Sequence, residues 1–360
     1  MRPLTEADLA EAIAGAAGPL LVRGGGTRTI GHAIGKVLET GGLTGVELYE
    51  PGALTLVVRA GTPLAEIEAL LATERQRLAF EPPDLRPLLG RDGVSTIGGV
   101  VATNASGPRR VQSGACRDSL LGVRFVDGTG AVIKNGGRVM KNVTGYDLVK
   151  LLAGSRGTLG VLSEVSLKLQ AQPEAEVTLI IEGLGEEDGL QALRQALGSP
   201  YDISGAARHS GRSLVRVEGM AGSVAYRSGR LQALLAGTVT VVEGAASATL
   251  WREVRDVAPL VGKPGDVWRI ATMPTAAADI VARTEGEAVW DWAGGLIWLR
   301  SDPKVRPTVI AATAGRGHAT LVRGEGGLVF PVEAAEVQTL SAGLRAKFDP
   351  KGILNQGMAG

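Results

Sequence analysis

The chain has 360 residues, 44% of them hydrophobic, and a formal net charge of +1, enough apolar material for a substantial core divided between two domains. Near-neutrality excludes a basic footprint for nucleic acid or an anionic membrane surface. One cysteine and three scattered histidines exclude an internal disulfide and a recognisable zinc set, so no metal is expected and a reduced, cytoplasmic setting fits.

In chain order, Thr5 with Asp8 three residues later reads as a capping box for a helix over 5–14, with Leu9 and Ile13 on one face. Glu6, Asp8 and Glu11 stand where a signal peptide would be apolar, and no run reaches the length of a membrane span, so any membrane association is expected through a partner. Leu20 to Arg23 reads as a strand that breaks into Gly24, Gly25, Gly26 and Thr27. Backbone without side chains lets successive N–H groups converge on an anion, although a tight turn after a strand gives the same pattern. No Lys-Ser or Lys-Thr follows and Arg28 to Ile30 intervene before Gly31, so the loop is neither a P-loop nor Gly-x-Gly-x-x-Gly.

Strands over 46–49 and 54–59 flank a Glu50-Pro51-Gly52 turn. Thr62 then reads as the N-cap of a helix with Pro63 at its first position and Ile67, Leu70 and Leu71 along one side. Val94 to Gly107 contains no side chain larger than isoleucine, a composition suited to close backbone approach to a large flat ligand, or to a tightly packed turn. A hairpin is expected over 121–134 about Asp127-Gly128-Thr129-Gly130, and a short helix capped by Asp147. A second glycine-rich loop, 154–161, feeds an alternating strand over 161–169. The Pro, Gln and Glu of 170–176 mark a domain boundary, placing one domain at 1–170, a second at 171–335 and a segment at 336–360 that packs back on the body. All five tryptophans lie between Trp251 and Trp298, as a separate core or, for any exposed subset, as a cleft or subunit contact.

Taken together, Gly24-Gly25-Gly26-Thr27, Thr96-Ile97-Gly98-Gly99 with Ala102-Thr103-Asn104-Ala105-Ser106-Gly107, and Gly154-Ser155-x-Gly157-Thr158-Leu159-Gly160-Val161 resemble the FAD-binding domain of the vanillyl-alcohol-oxidase-type flavoproteins. Lys141-Asn142 with Gly145-Tyr146-Asp147-Leu148 adds a further match. Ser204-Gly205-Ala206-Ala207, Trp268-Arg269, Asp291-Trp292-Ala293-Gly294-Gly295 leading to Trp298-Leu299, and the ending from Phe348-Asp349-Pro350 to Asn355 narrow the likeness to the FAD-binding E subunits of bacterial glycolate oxidases.

The resemblance implies an α+β chain: a two-subdomain PCMH-type FAD-binding domain followed by an α+β cap domain with a mainly antiparallel sheet. It implies FAD held by Arg23, Gly24, Gly25, Gly26 and Thr27, by Thr96, Gly98, Gly99, Ala102, Thr103, Asn104 and Gly107, and by Gly154, Ser155, Gly157, Thr158, Gly160 and Val161. Relatives that link FAD covalently place a histidine in the first loop, where this chain has Thr27, so the FAD is expected to be non-covalent. His32 and Cys116 are read as ordinary packing residues, and Arg109, Arg110 and Arg117 as surface residues or an added cation. The implied partners are a paralogous FAD-binding oxidase subunit, an iron–sulfur subunit and a small 2-hydroxy acid such as glycolate. The histidine-containing segment of catalytically equipped relatives is missing, since His209 and His318 stand in other contexts. Catalytic residues are therefore unknown, with Arg269, Arg300 and Arg323 as candidates to clamp a carboxylate. A self-sufficient 2-hydroxy-acid dehydrogenase and a non-catalytic assembly subunit are the alternatives.

Overall fold

In the computed structural model, which describes residues 1–31, 34–138, 145–326 and 329–358, Thr5 opens the helix Glu6–Ala14 with the anticipated reciprocal capping box to Asp8. Leu9 and Ile13 from that helix bury against Leu20, Leu38, Val126, Val161 and Leu354. The strand Leu20–Arg23 pairs parallel with Lys36–Glu39, and the isolated bridge from Leu20 to Leu354 adds the chain's far end to the same layer.

A five-stranded antiparallel sheet lies beside this layer in the order Val46–Glu50, Thr55–Arg59, Val161–Lys168, Leu120–Val126, Val132–Gly136. Val161–Lys168 is its middle strand, which is why Leu162, Ser163 and Ser166 are buried along with Val161, Val165 and Leu167, and the simple alternation expected from the sequence is lost. The expected hairpin forms, with Asp127 accepting from the N–H groups of Thr129 and Ala131. Asp147 caps Leu148–Leu152 by accepting from Lys150 N–H at 3.1 Å. One expected cap moves: Pro63, not Thr62, occupies the N-cap of Leu64–Thr73. The Thr62 hydroxyl instead accepts from Gly45 N–H at 3.0 Å, satisfying a neighbouring turn rather than the helix end.

Beyond residue 175 the chain builds an eight-stranded, wholly antiparallel sheet. Its order is Thr238–Glu243, Ala175–Glu182, Arg212–Gly219, Ile203–His209, Glu287–Asp291, Leu296–Ser301, Asp266–Thr272, Gly317–Arg323. The back face packs Leu179, Val215, Trp268, Ile270, Trp290 and Leu299 under four helices, which contribute Leu193, Leu231, Ile280 and Val309. The front face turns Val267, Val289 and Trp298 toward Leu88 of the first half. Four of the five tryptophans are buried core residues, whereas Trp292 is half-buried at the junction of the two halves.

That junction is ionic. Arg109 and Arg77, from the first half, both reach Glu218, and Arg216 makes a two-pronged bridge to Glu81 at 2.7 and 2.9 Å. Burial works against the Glu218 charge, but Arg216, Arg109 and Arg77 outweigh it and hold the carboxyl far below the ordinary range.

Candidate cofactor cleft and its arginine-lined edge

The Leu20–Arg23 strand aims its terminal loop at the helix Ile97–Ala102, whose N-cap Thr96 accepts from Gly99 N–H at 3.3 Å. The two glycine segments approach so closely that a Cβ at Gly24 would meet Thr96 Oγ1 at 2.5 Å, and on its other side the second segment is packed so tightly that a Cβ at Gly98 would meet the Ala60 carbonyl at 2.7 Å. The N–H groups of Gly24, Gly25, Gly26 and Thr27 find no protein acceptor among the described residues. They line an open cleft, an anion cradle that needs no lysine.

The second glycine loop closes the opposite wall. Gly154 N–H donates to the Val101 carbonyl at 3.1 Å and Arg156 N–H to the Ala102 carbonyl at 2.8 Å, tying the loop to the end of the Ile97–Ala102 helix. Asn355 fastens the third side: its Oδ1 accepts from Val22 N–H and its Nδ2 donates to the Arg156 carbonyl, both at 2.7 Å.

Of the sequence-predicted residues, Arg23, Gly24, Gly25, Gly26 and Thr27 line this cleft. So do Thr96, Gly98, Gly99, Ala102 and Thr103. Ser155, Gly157, Gly160 and Val161 complete the set. Four others sit beside it with different work. Asn104 adopts φ +47° and accepts from Arg117 N–H at 2.9 Å. Gly107 lies against the Glu81 carbonyl and accepts from Trp292 Nε1 at 3.1 Å, at the seam between the halves. Gly154 turns the loop at φ +91°, and the Thr158 hydroxyl donates to the Ser155 carbonyl.

Residues overlooked in the sequence also line the cleft: Arg28, Arg156, Asn355 and Met358. Arg28 is buried, donating to Ser95 Oγ at 2.7 Å, while its Nε has no partner. Arg156 makes no side-chain hydrogen bond or ion pair among the described residues and stacks on Phe330 at 5.2 Å. Burial alone lowers its pKa to about 10. An unpaired cation, an orphaned guanidinium nitrogen and a row of free amides form a donor set that fits an anionic diphosphate cofactor. A glycine was the legible signal; an arginine or asparagine is common on any surface.

Arg269 leads to the cleft's far edge. Trp268 and Ile270 point into the back core, so Arg269 projects from the front face, with its guanidinium 5.6 Å from the Trp292 ring. Arg110, on the first half, lies 4.6 Å from the same ring. The other two arginines are otherwise engaged. Arg300 faces Glu287 at 3.6 Å, and Arg323 donates to the Leu88 carbonyl at 2.9 Å and the Lys263 carbonyl at 2.5 Å. Asp291, buried beside Trp292, accepts from Trp292 N–H at 2.7 Å; burial pushes its carboxyl up to about 7. His318 shares the front face with Arg269, and burial and then Arg269 lower its pKa. His209 is buried, with Nε2 unpartnered and its pKa lowered to about 4 by burial. Cys116 is buried and its thiol pushed well up by that burial, hence inert. His32, Lys141 and Asn142 lie outside the described residues.

Among the described residues no group of His, Cys, Asp and Glu could hold a metal ion, and no helix is long and apolar enough to cross a membrane.

Residues 1–136 match the family model described as an FAD binding domain. The glycolate oxidase subunit GlcE of Escherichia coli is 34% identical over 94% of this chain and 92% of its own length. The glycolate oxidase subunit GlcD of Bacillus subtilis and a D-lactate dehydrogenase of Archaeoglobus fulgidus are 34% and 33% identical, over 45% and 49% of this chain but only 34% and 38% of theirs. Among solved structures, an alkyldihydroxyacetonephosphate synthase superposes with a TM-score of 0.70 over 99% of this chain and 75% of that one, at 15% identity, a likeness of fold. The fold is therefore the PCMH-type α+β arrangement with a large antiparallel sheet in its later part. The chain belongs to the GlcE family of FAD-linked oxidases, FAD-dependent oxidoreductases in which FAD is the cofactor.

Proposed function

We propose that this chain is the FAD-holding E-type subunit of a glycolate oxidase complex, and that it works with a paralogous FAD-binding oxidase subunit and an iron–sulfur subunit. The observation that carries the reading is the near-complete alignment with GlcE together with an intact cradle of unpaired amides at Gly24 to Thr27. In this reading residues 1–170 hold the cofactor, 171–335 cover it and 336–360 close the cleft.

The cradle amides and Arg28 would take the FAD pyrophosphate, with Thr96, Gly98, Gly99 and Thr103 forming the floor and Ser155, Gly157, Gly160 and Val161 the opposite wall. Arg156 would meet cofactor charge from that wall. Held there, FAD would supply the hydride-acceptor chemistry that oxidation of a 2-hydroxy acid requires. Arg269 and Arg110, both stacked on Trp292, would orient a carboxylate, with the indole on the apolar side of that edge. Thr27, whose hydroxyl is a far weaker nucleophile than an imidazole, stands where covalently linked relatives place a histidine, which supports non-covalent FAD. The binding of glycolate, or a similar 2-hydroxy acid, belongs to the same proposal.

The test is to purify the chain and record its flavin spectrum before and after acid precipitation. Flavin absorbance that passes wholly into the supernatant is expected; colour retained in the pellet overturns the non-covalent reading, and no flavin even after FAD is added overturns the whole. Dye reduction by glycolate is expected only once the two partner subunits are added.

A further inference from the structure

The five-stranded and eight-stranded sheets have two edge strands each, and three of these edges are guarded against pairing with another chain. Val46–Glu50 is broken by a bulge between Val46 and Leu48 and carries Glu47. Val132–Gly136 carries Lys134 at its centre. Along Gly317–Arg323 the Leu321 N–H already donates to the Val329 carbonyl at 2.9 Å. Irregularity, charge and cover are the usual defences, because a bare edge presents a row of unpaired N–H and C=O groups.

The fourth edge has none of them. Thr238–Glu243 is Thr-Val-Thr-Val-Val-Glu, a β-branched run without proline or lysine, and it keeps unbroken register with Ala175–Glu182. Among the described residues its backbone makes no hydrogen bond beyond that ladder. Val239 and Val241 point to the back face, where they pack against the core yet stay only half-buried. Thr238 and Thr240 alternate with them and stand exposed on the front.

The strand is also complementary to itself. Opposed residues of an antiparallel pair share a face, so a twofold axis normal to the sheet must pair back-facing residues with back-facing ones. With Thr240 on the axis, Val239 meets Val241 of the second copy and Thr238 meets its Val242. The half-buried valines of the two chains then cover one another on the back face. Glu243 falls opposite Gly237, so no like charges meet. Moving the axis to Val241 would instead set Val239 against Glu243 on that apolar face. The edge lies at the far end of the sheet from Asp266–Thr272, which carries Arg269, so a second copy docked there leaves the arginine edge free.

We propose that Thr238–Glu243 is a homodimerisation edge, through which two copies of this chain pair antiparallel and join their cap sheets about a twofold axis at Thr240. One short strand offers less than the area of a standard interface, so the dimer forms at roughly micromolar concentration. The proposal stands apart from the proposed function, since it needs neither FAD nor a hydroxy acid.

The test is sedimentation velocity on the FAD-loaded chain over roughly 1–100 µM, where reversible growth from monomer to dimer is expected. Thr240→Lys, at an exposed position, sets two ammonium groups opposite each other and should raise the dissociation constant at least about tenfold, with far-UV circular dichroism unchanged. Register is read with a short bis-maleimide. The native Cys116 is buried, so Thr240→Cys should be linked into a covalent dimer, whereas Thr238→Cys, roughly 14 Å from its twin, should not. A wild-type chain that stays monomeric throughout overturns the proposal, as does a dimer indifferent to Thr240→Lys. Thr240→Cys linked no better than Thr238→Cys, or linked only to a different subunit in the assembled complex, overturns it too. The wild-type series decides the matter even where a variant fails to fold. Loss of flavin counts against the proposed function and leaves the dimer measurement intact.

Discussion

A methyl group on Gly25 would sit 1.5 Å from the Val94 carbonyl oxygen, inside covalent range, and no flexible side chain is there to yield. Gly25→Ala is therefore expected to push the first loop off the Ile97–Ala102 helix, costing about 1–3 kcal/mol of stability. It should also weaken FAD retention by roughly tenfold or more, measured as flavin-to-protein ratio after gel filtration. Asp291 supplies a second residue-scale prediction. Its folded pKa, raised to about 7 from an ordinary 3.8, means the folded protein binds the extra proton. Its contribution is fully present below pH 4 and disappears as the pH climbs to 7 and above. Asp291→Asn keeps the neutral shape, so the variant should gain on the wild type across that window, reaching about 4 kcal/mol at most above pH 7. Thermal unfolding at pH 4, 6 and 8 checks the sign; a gain that is greatest at pH 4 would refute it.

At the scale of elements, the seam between the two halves depends on a buried charge lattice in which Glu218 answers Arg77, Arg109 and Arg216 together. Removing one acid strands several cations at once. Glu218→Gln should destabilise the chain by about 3–5 kcal/mol, read as a lower urea midpoint, while Glu47→Gln, at an exposed pair with Arg59, should change stability by less than about 1 kcal/mol. Elements whose signal is local were legible in the sequence. The Thr5 and Asp147 caps, the Asp127 hairpin and the strand running into Gly24 each depend on neighbours within a few residues. Thr62 misled because a hydroxyl can serve either of two adjacent backbones, and Gly45 won. The arginine edge was only half legible: Arg269 stood out beside Trp268, but its companion Arg110 lies on another element 159 positions earlier, and only folding brings both to Trp292.

Across the whole molecule, the glycine loops revealed the cofactor because backbone recognition requires small residues in order. The clamp on those loops left no such trace. Asn355 holds both Val22 and Arg156, yet in the sequence it stood only as the last residue of a family-like ending, with no role attached. Asn355→Ala should leave the eight-stranded sheet intact but loosen two cleft walls together, lowering FAD retention with a small effect on the unfolding of the cap. Differential scanning calorimetry alongside the flavin-to-protein ratio separates the two effects. Retention equal to wild type would mean the walls hold without it.

The same asparagine imposes an order on the molecule's manufacture. Leu20 N–H donates to the Ile353 carbonyl and Asn355 N–H to the Leu20 carbonyl, at 2.7 and 3.0 Å, so the strand feeding the cradle is completed by residues made more than 300 positions later. A ribosome adding about 5–20 residues per second has exposed the glycine loops well before it supplies their clamp. For that interval the nascent chain carries a nest of bare amides with one wall untied. In the proposed function, firm capture of the dinucleotide would wait until residues 353–355 have been made and have packed on Leu20, Val22 and Arg156.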